Sequence, residues 1–169
     1  MNAPRTQHEK GFTMFYAVLV ASLLLAVGVA IANISYKELI LSSTSKESQQ
    51  AFYAADMGVE CVLLHEFGVL GGSPFPRDDT ESFTGLTCAN TPAVLESGYP
   101  ILSSDAATTT FTLDFNTTGI DKCVTVEVAK WRTPAGKRRT KIDARGYNTC
   151  DTLNLRRVER GLRATMGGS

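Results

Sequence analysis

The sequence predicts an α+β fold: one long N-terminal helix over about residues 13–67, packed on a four-stranded antiparallel sheet. Three observations lead there. An apolar run of bilayer length stands near the start of the chain, and helical periodicity continues beyond it without a proline until Pro74. From about residue 108 the pattern changes to strict alternation, the signature of half-buried strands.

The apolar run occupies residues 12–34, and no charged residue occurs between Lys10 and Lys37. Thr13, Ser22 and Asn33 are its only mildly polar breaks, and Gly28 its only glycine. As a helix it would extend roughly 34 Å, enough to cross a hydrocarbon core of about 30 Å. Helix is the spanning form open to one segment, because its backbone groups satisfy one another away from water. Arg5 and Lys10 precede the run, whereas Lys37 and Glu38 follow it and cancel. This bias places the N-terminus in the cytoplasm and the body of the chain outside. A cleaved secretory signal fits less well, since its apolar region is about 7–15 residues long and ends in a small-residue cleavage site.

Residues 36–68 form the second half of the same expected helix. Phe52, Ala55, Val59, Val62 or Leu63, and Phe67 recur at helical spacing, with Asp56, Glu60 and Glu66 opposite, so one face serves a globular core. The Ser42-Ser-Thr-Ser stretch is the weakest part by propensity. Gly71-Gly72-Ser73-Pro74 cannot continue the helix. Residues 69–108 read as a long Gly-, Pro- and Ser-rich surface region, in which Tyr99-Pro-Ile-Leu is the best short-strand candidate.

Residues 109–169 carry the sheet. Phe111, Leu113 and Phe115 share one face of the first strand, and Val124, Val126 and Val128 one face of the second. Thr133-Pro-Ala-Gly136 is a turn signal, Ile142, Ala144 and Gly146 line the third strand, and Val158, Leu162 and Ala164 the fourth, read over about residues 155–165. Short connections imply an antiparallel meander. Its other face carries Asp114, Glu127, Lys141, Asp143, Arg145, Arg157, Glu159 and Arg163, a mixed-charge solvated surface in which opposite charges can pair across strands.

Lys plus Arg and Asp plus Glu are 17 each, so the formal net charge is zero and a strong nonspecific grip on nucleic acid is not expected. Cys61, Cys88, Cys123 and Cys150 form no C-x-x-C, and His8 and His65 are the only histidines, so no metal site and no cofactor are expected. Four spaced cysteines behind an apolar segment suggest disulfides in an oxidising compartment. Three pairings are possible. Cys123 and Cys150 have their midpoint near the Pro134–Gly136 turn, which favours Cys123–Cys150 and leaves Cys61–Cys88 to pin the long connection to the helix. No catalytic constellation is present, and an enzyme is not expected.

Lys10-Gly11-Phe12-Thr13, opening a bilayer-length helix that runs on into an amphipathic half, resembles the type IV pilin superfamily. The resemblance implies that residues 1–11 are a cytoplasmic leader, cut by a prepilin peptidase between Gly11 and Phe12, with Phe12 then methylated as the mature N-terminus. It further implies a membrane-held precursor that leaves the bilayer through an inner-membrane assembly platform to join other pilin subunits in a surface filament. Major pilins of this superfamily have a glutamate at mature position five, where this chain has Tyr16. In that respect, and in the stretch Glu47-Ser-Gln-Gln-Ala-Phe-Tyr-Ala-Ala-Asp-Met-Gly-Val-Glu60 with its Ala-Phe-x-Ala-Ala-acid-x-Gly core, the chain is similar to PilX-like minor pilins.

The function this resemblance implies is structural: a minor, tip or priming subunit of a type IV pilus, serving attachment, motility or DNA uptake. Phe12, Tyr16, Ala17, Ala21, Gly28 and Ala32 are the helix-packing residues it points to; the small ones would permit close approach of neighbouring helices, although small residues are common in any spanning helix. Two rival readings share the helix logic, a pseudopilin of a type II secretion-like system and a plain single-pass anchor for an extracellular domain. DNA binding through Arg157 and Arg163 is a weaker expectation.

Overall fold

The computed structural model describes residues 10–67, 72–115 and 121–167; the leader residues 1–9 lie outside them. Helix α1 runs over Lys10–Glu66. The chain divides into two units, Met1–Thr44 and Ser45–Ser169. The polar middle of the helix holds because its hydroxyls fold back on the preceding turn. Ser43 Oγ and Thr44 Oγ1 each donate to the Ile40 carbonyl at 2.9 Å, which removes their competition for solvent-facing geometry.

In the second unit eight strands follow: β1 (Thr87–Cys88), β2 (Thr91–Pro92), β3 (Val94–Leu95), β4 (Ile101–Leu102), β5 (Ala106–Asp114), β6 (Cys123–Arg132), β7 (Arg138–Tyr147) and β8 (Glu159–Gly167). The expected meander is present as β5-β6-β7-β8, every pair antiparallel. The sheet has six strands rather than four, because β3 and β4 both pair with β5 and finish its outer edge. β1 and β2 form a separate hairpin. The β6–β7 turn is built as its residues require, with Pro134 after Thr133 and Gly136 at φ 78°, a left-handed position that suits glycine.

Two features differ from expectation. The last strand begins at Glu159 rather than near residue 155; Leu155 is fully exposed, in a loop held by Asx-type turns at Asp151 and Asn154. The helix buries Ala55, Val59 and Val62 as expected, but its buried face is rotated away from the expected aromatics. Phe52 is 44% exposed and Phe67 71%, whereas Ala51, Ala54, Ala55 and Val62 are wholly buried.

The reason is the closeness of helix and sheet. A Cβ on Gly146 of β7 would collide with the Ala51 carbonyl oxygen and the Ala55 backbone nitrogen. A Cβ on Gly58 would lie 2.8 Å from Val124 and 2.9 Å from Val126. Only alanine and glycine fit such an interface, so the large aromatic side chains turn outward. Below this contact the core gathers Val59, Val62, Leu113, Val124, Val126, Val128 and Ile142. Phe75 and Phe83 from the long connection stack with Phe111, ring centroids 5.8–6.4 Å apart, at about 0.5–1.5 kcal/mol per pair. The connection is therefore fastened to the core rather than free on the surface.

Candidate functional site

The first candidate surface is the N-terminal half of α1. Phe12, Phe15, Tyr16, Leu25, Ile34 and Leu41 are all 59–73% exposed, and the helix from residue 12 to 34 presents apolar side chains on every side. It is the one described helix long and apolar enough to cross a membrane, which makes it a candidate span. Ser22 Oγ donates to the Leu19 carbonyl at 2.8 Å, so its hydroxyl needs no water. Gly11 and Phe12 sit in the first turn of the helix. Ala17, Ala21, Gly28 and Ala32 share one stripe, and a Cβ on Gly28 would meet nothing within 4 Å. Tyr16 is 63% exposed on the same segment.

The second candidate is the corner where α1 meets the β1–β2 hairpin. Cys61 and Cys88 are joined, their Cα atoms 5.9 Å apart. Cys88 reaches the helix because its hairpin turns in two residues, Ala89 and Asn90, both at positive φ (49° and 64°). His65, one helical turn after Cys61, places Nε2 3.3 Å from the Thr87 carbonyl oxygen. The two sulfurs and a His65 ring nitrogen lie within 4.8 Å of one another. An open cavity of about 410 Å³ lies over the two cysteines, lined also by Met57, Glu60, Leu64 and Phe115. The sequence expectation of no metal-ligating group passed over the four-residue spacing of Cys61 and His65. On a helix that spacing puts both donors on one face.

Cys123 and Cys150 correct the second expected bond: they are free thiols. The hairpin register pairs Cys123 with Tyr147, three residues short of Cys150, which belongs to the following loop. The loop brings the two thiols near each other, where Cys123 Sγ donates to the Thr149 carbonyl at 3.8 Å and Cys150 Sγ donates to Asp114 Oδ1 at 3.4 Å. Burial is the main cause raising both thiol pKa values; for Cys150 the Cys123 contact and Asp114 push the same way.

At the end of α1, Lys130 of β6 ties three segments together. Its Nζ pairs with Glu66 at 2.7 Å, donates to Ser73 Oγ at 2.8 Å and to the Phe75 carbonyl at 3.2 Å, and the residue is only 6% exposed. Burial lowers its pKa, opposed by the Glu66 carboxylate.

On the outer face of the sheet Glu127, Lys141, Asp143 and Arg163 pair within and across strands. Lys141 contacts Asp143 at 2.5 Å and Glu127 at 3.8 Å, and Arg163 also pairs with Asp143. Burial raises the Asp143 pKa, but hydrogen bonds from Arg163 and Lys141 more than offset it, so the carboxyl titrates below its ordinary range. The Arg157 guanidinium lies 3.8 Å from the centroid of the Tyr147 ring. The two arginines named for nucleic acid are thus engaged within the protein. Comparison of the chain with protein-family models, curated proteins and solved structures finds no match.

Proposed function

We propose that this chain is a filament subunit of the type IV pilin kind, held in the membrane by α1 before assembly and cut between Gly11 and Phe12. One observation carries the reading. A helix apolar on all sides over residues 12–34 continues without a break into a segment whose Ala51, Ala54, Ala55 and Gly58 seat it on an antiparallel sheet. An anchor needs only the first half. A packing element that must serve first lipid and then a bundle of neighbouring helices needs apolar surface all round. The alanines and glycine of the contact are also those of the stretch similar to PilX-like subunits, so that likeness falls on residues with a packing duty.

Tyr16 supports a particular role within the filament. A glutamate at this position would offer a carboxylate to a neighbour's N-terminal amine in an apolar setting, where a lone charge is costly and a pair strongly favoured. Tyr16 cannot supply that registering contact, which suits a minor, priming or tip subunit. The test is mass spectrometry of sheared surface fibres. An N-methylated Phe12 as first residue supports the reading. An intact Met1, found only in the membrane fraction, refutes it in favour of a plain anchor.

A further inference from the structure

We propose that the corner formed by Cys61, His65 and Cys88 has a second chemical state, in which the reduced cysteines and the imidazole bind one thiophilic d¹⁰ cation, Zn²⁺ or Cu⁺. The donors come from two elements fixed independently. Cys61 and His65 stand one turn apart on α1, and Cys88 closes the set from the tight β1–β2 hairpin, all three donor atoms within 4.8 Å of one another. With Zn–S distances of about 2.3 Å and Zn–N distances of about 2.0–2.1 Å, the ligand atoms of a tetrahedral site stand roughly 3.5–3.8 Å apart, so the two sulfurs, bonded in the oxidised state, part on reduction while the His65 nitrogen is already within reach. The cavity over the two cysteines, about 410 Å³, leaves a way in and room for a fourth ligand. Glu60 and Met57 line that cavity. A carboxylate or a water suits Zn²⁺, whereas the thioether suits Cu⁺. Met57, Cys61 and His65 follow one another at intervals of four, so three donors lie along one stripe of the helix.

The two states exclude each other. A dithiol reductant opens the Cys61–Cys88 bond and closes its own disulfide, passing two protons to the cysteine sulfurs. The cation then displaces one proton from each thiol as it binds the thiolates. Metal would thereby protect the dithiol from oxidation, and oxidation would expel the metal.

The experiment uses the full chain in detergent micelles, with Cys123→Ser and Cys150→Ser to remove the other thiols. Zn²⁺ and, anaerobically, Cu⁺ are titrated against a chromophoric chelator, before and after reduction. One equivalent is expected in the reduced form and none in the oxidised form. His65→Ala, which leaves both cysteines in place, is expected to weaken binding at least tenfold, and Met57→Leu to weaken Cu⁺ but not Zn²⁺ if the thioether is the fourth ligand. Equal binding before and after reduction, or unchanged affinity in His65→Ala, overturns the proposal. Should the serine background not fold, Co²⁺ spectra of the reduced unsubstituted chain and of His65→Ala decide instead. A thiolate charge-transfer band that His65→Ala leaves unchanged overturns it equally.

Discussion

Replacing Gly146 by alanine tests the account of how helix and sheet are held together. The added Cβ would run into the Ala51 carbonyl oxygen and the Ala55 nitrogen, both backbone atoms of α1 that no rotamer change can move. The helix must retreat by about 1 Å. At that gap each interfacial contact loses on the order of a quarter to a half of its dispersion well. The loss is shared by Ala51, Ala54, Ala55, Val59 and Val62, which are buried along that face. Overpacking alone costs about 1–3 kcal/mol, and adding the loosened interface gives about 3–5 kcal/mol for Gly146→Ala. Gly58→Ala meets Val124 and Val126 methyl groups instead, which can rotate away, and gains roughly 1 kcal/mol of helix propensity. Its net cost is expected near 1 kcal/mol. Urea unfolding of both variants in micelles, followed by Trp131 fluorescence, measures the difference. A Gly146→Ala variant within 1 kcal/mol of the parent, or more stable than Gly58→Ala, refutes the backbone-contact account.

Other outcomes follow from single contacts. Lys130→Ala should cost about 3 kcal/mol, because it strands the Glu66 carboxylate at the end of α1, and Lys130→Met with Glu66→Gln should recover part of it in the same unfolding assay. Ala89→Gly should stabilise the chain by about 0.5–1 kcal/mol, since it relieves a left-handed alanine in the β1–β2 turn; a lower unfolding midpoint would count against this. The depressed Asp143 pKa means that its contribution is present above the unfolded value near 3.8 and is lost as pH falls through the folded value. Asp143→Asn should therefore flatten the acid limb of the stability–pH curve, leaving its neutral-to-alkaline part parallel to that of the parent. The raised thiol pKa values keep Cys123 and Cys150 protonated at neutral pH, so alkylation of the native chain should be slow there and accelerate only well above pH 9. Fast modification at pH 7, read by mass spectrometry, would contradict the burial assigned to them.

Much of the fold was legible because alternation and side-chain size agreed. Phe111, Leu113, Val124, Val126, Val128, Ile142 and Ala144 are core residues as their period-two pattern requires. The helix face was misjudged because large apolar residues usually mark the core side. Here the sheet comes so near that Ala51 and Gly58 mark it, and Phe52 points away. Periodicity weighted by hydrophobic size cannot detect a contact made by backbone. Strands β1 to β3 are two residues each, too short to show a period, and Pro92 closes β2, whereas β4 falls inside the expected Tyr99–Leu102 stretch. Leu155 drew the last strand four residues too early, since a single exposed leucine beside arginines resembles a strand start. At the candidate site, Cys61–Cys88 is legible in the sequence as the pair that the hairpin leaves over, and the four-residue spacing of Cys61 and His65 places both on one helix face. Cys150 was misplaced because hairpin counting ends where the hairpin does.

The Lys130 clamp on Ser73 and Phe75 at one end and the Cys61–Cys88 bond at the other fix the long connection at two points. Between them the chain need only close a loop, and doubling a loop's length costs only about 0.6 kcal/mol. The exposed stretch at Asp79, Thr80, Glu81 and Ser82 is therefore a port: foreign sequence inserted after Glu81 should leave both moorings, and the sheet behind them, unchanged.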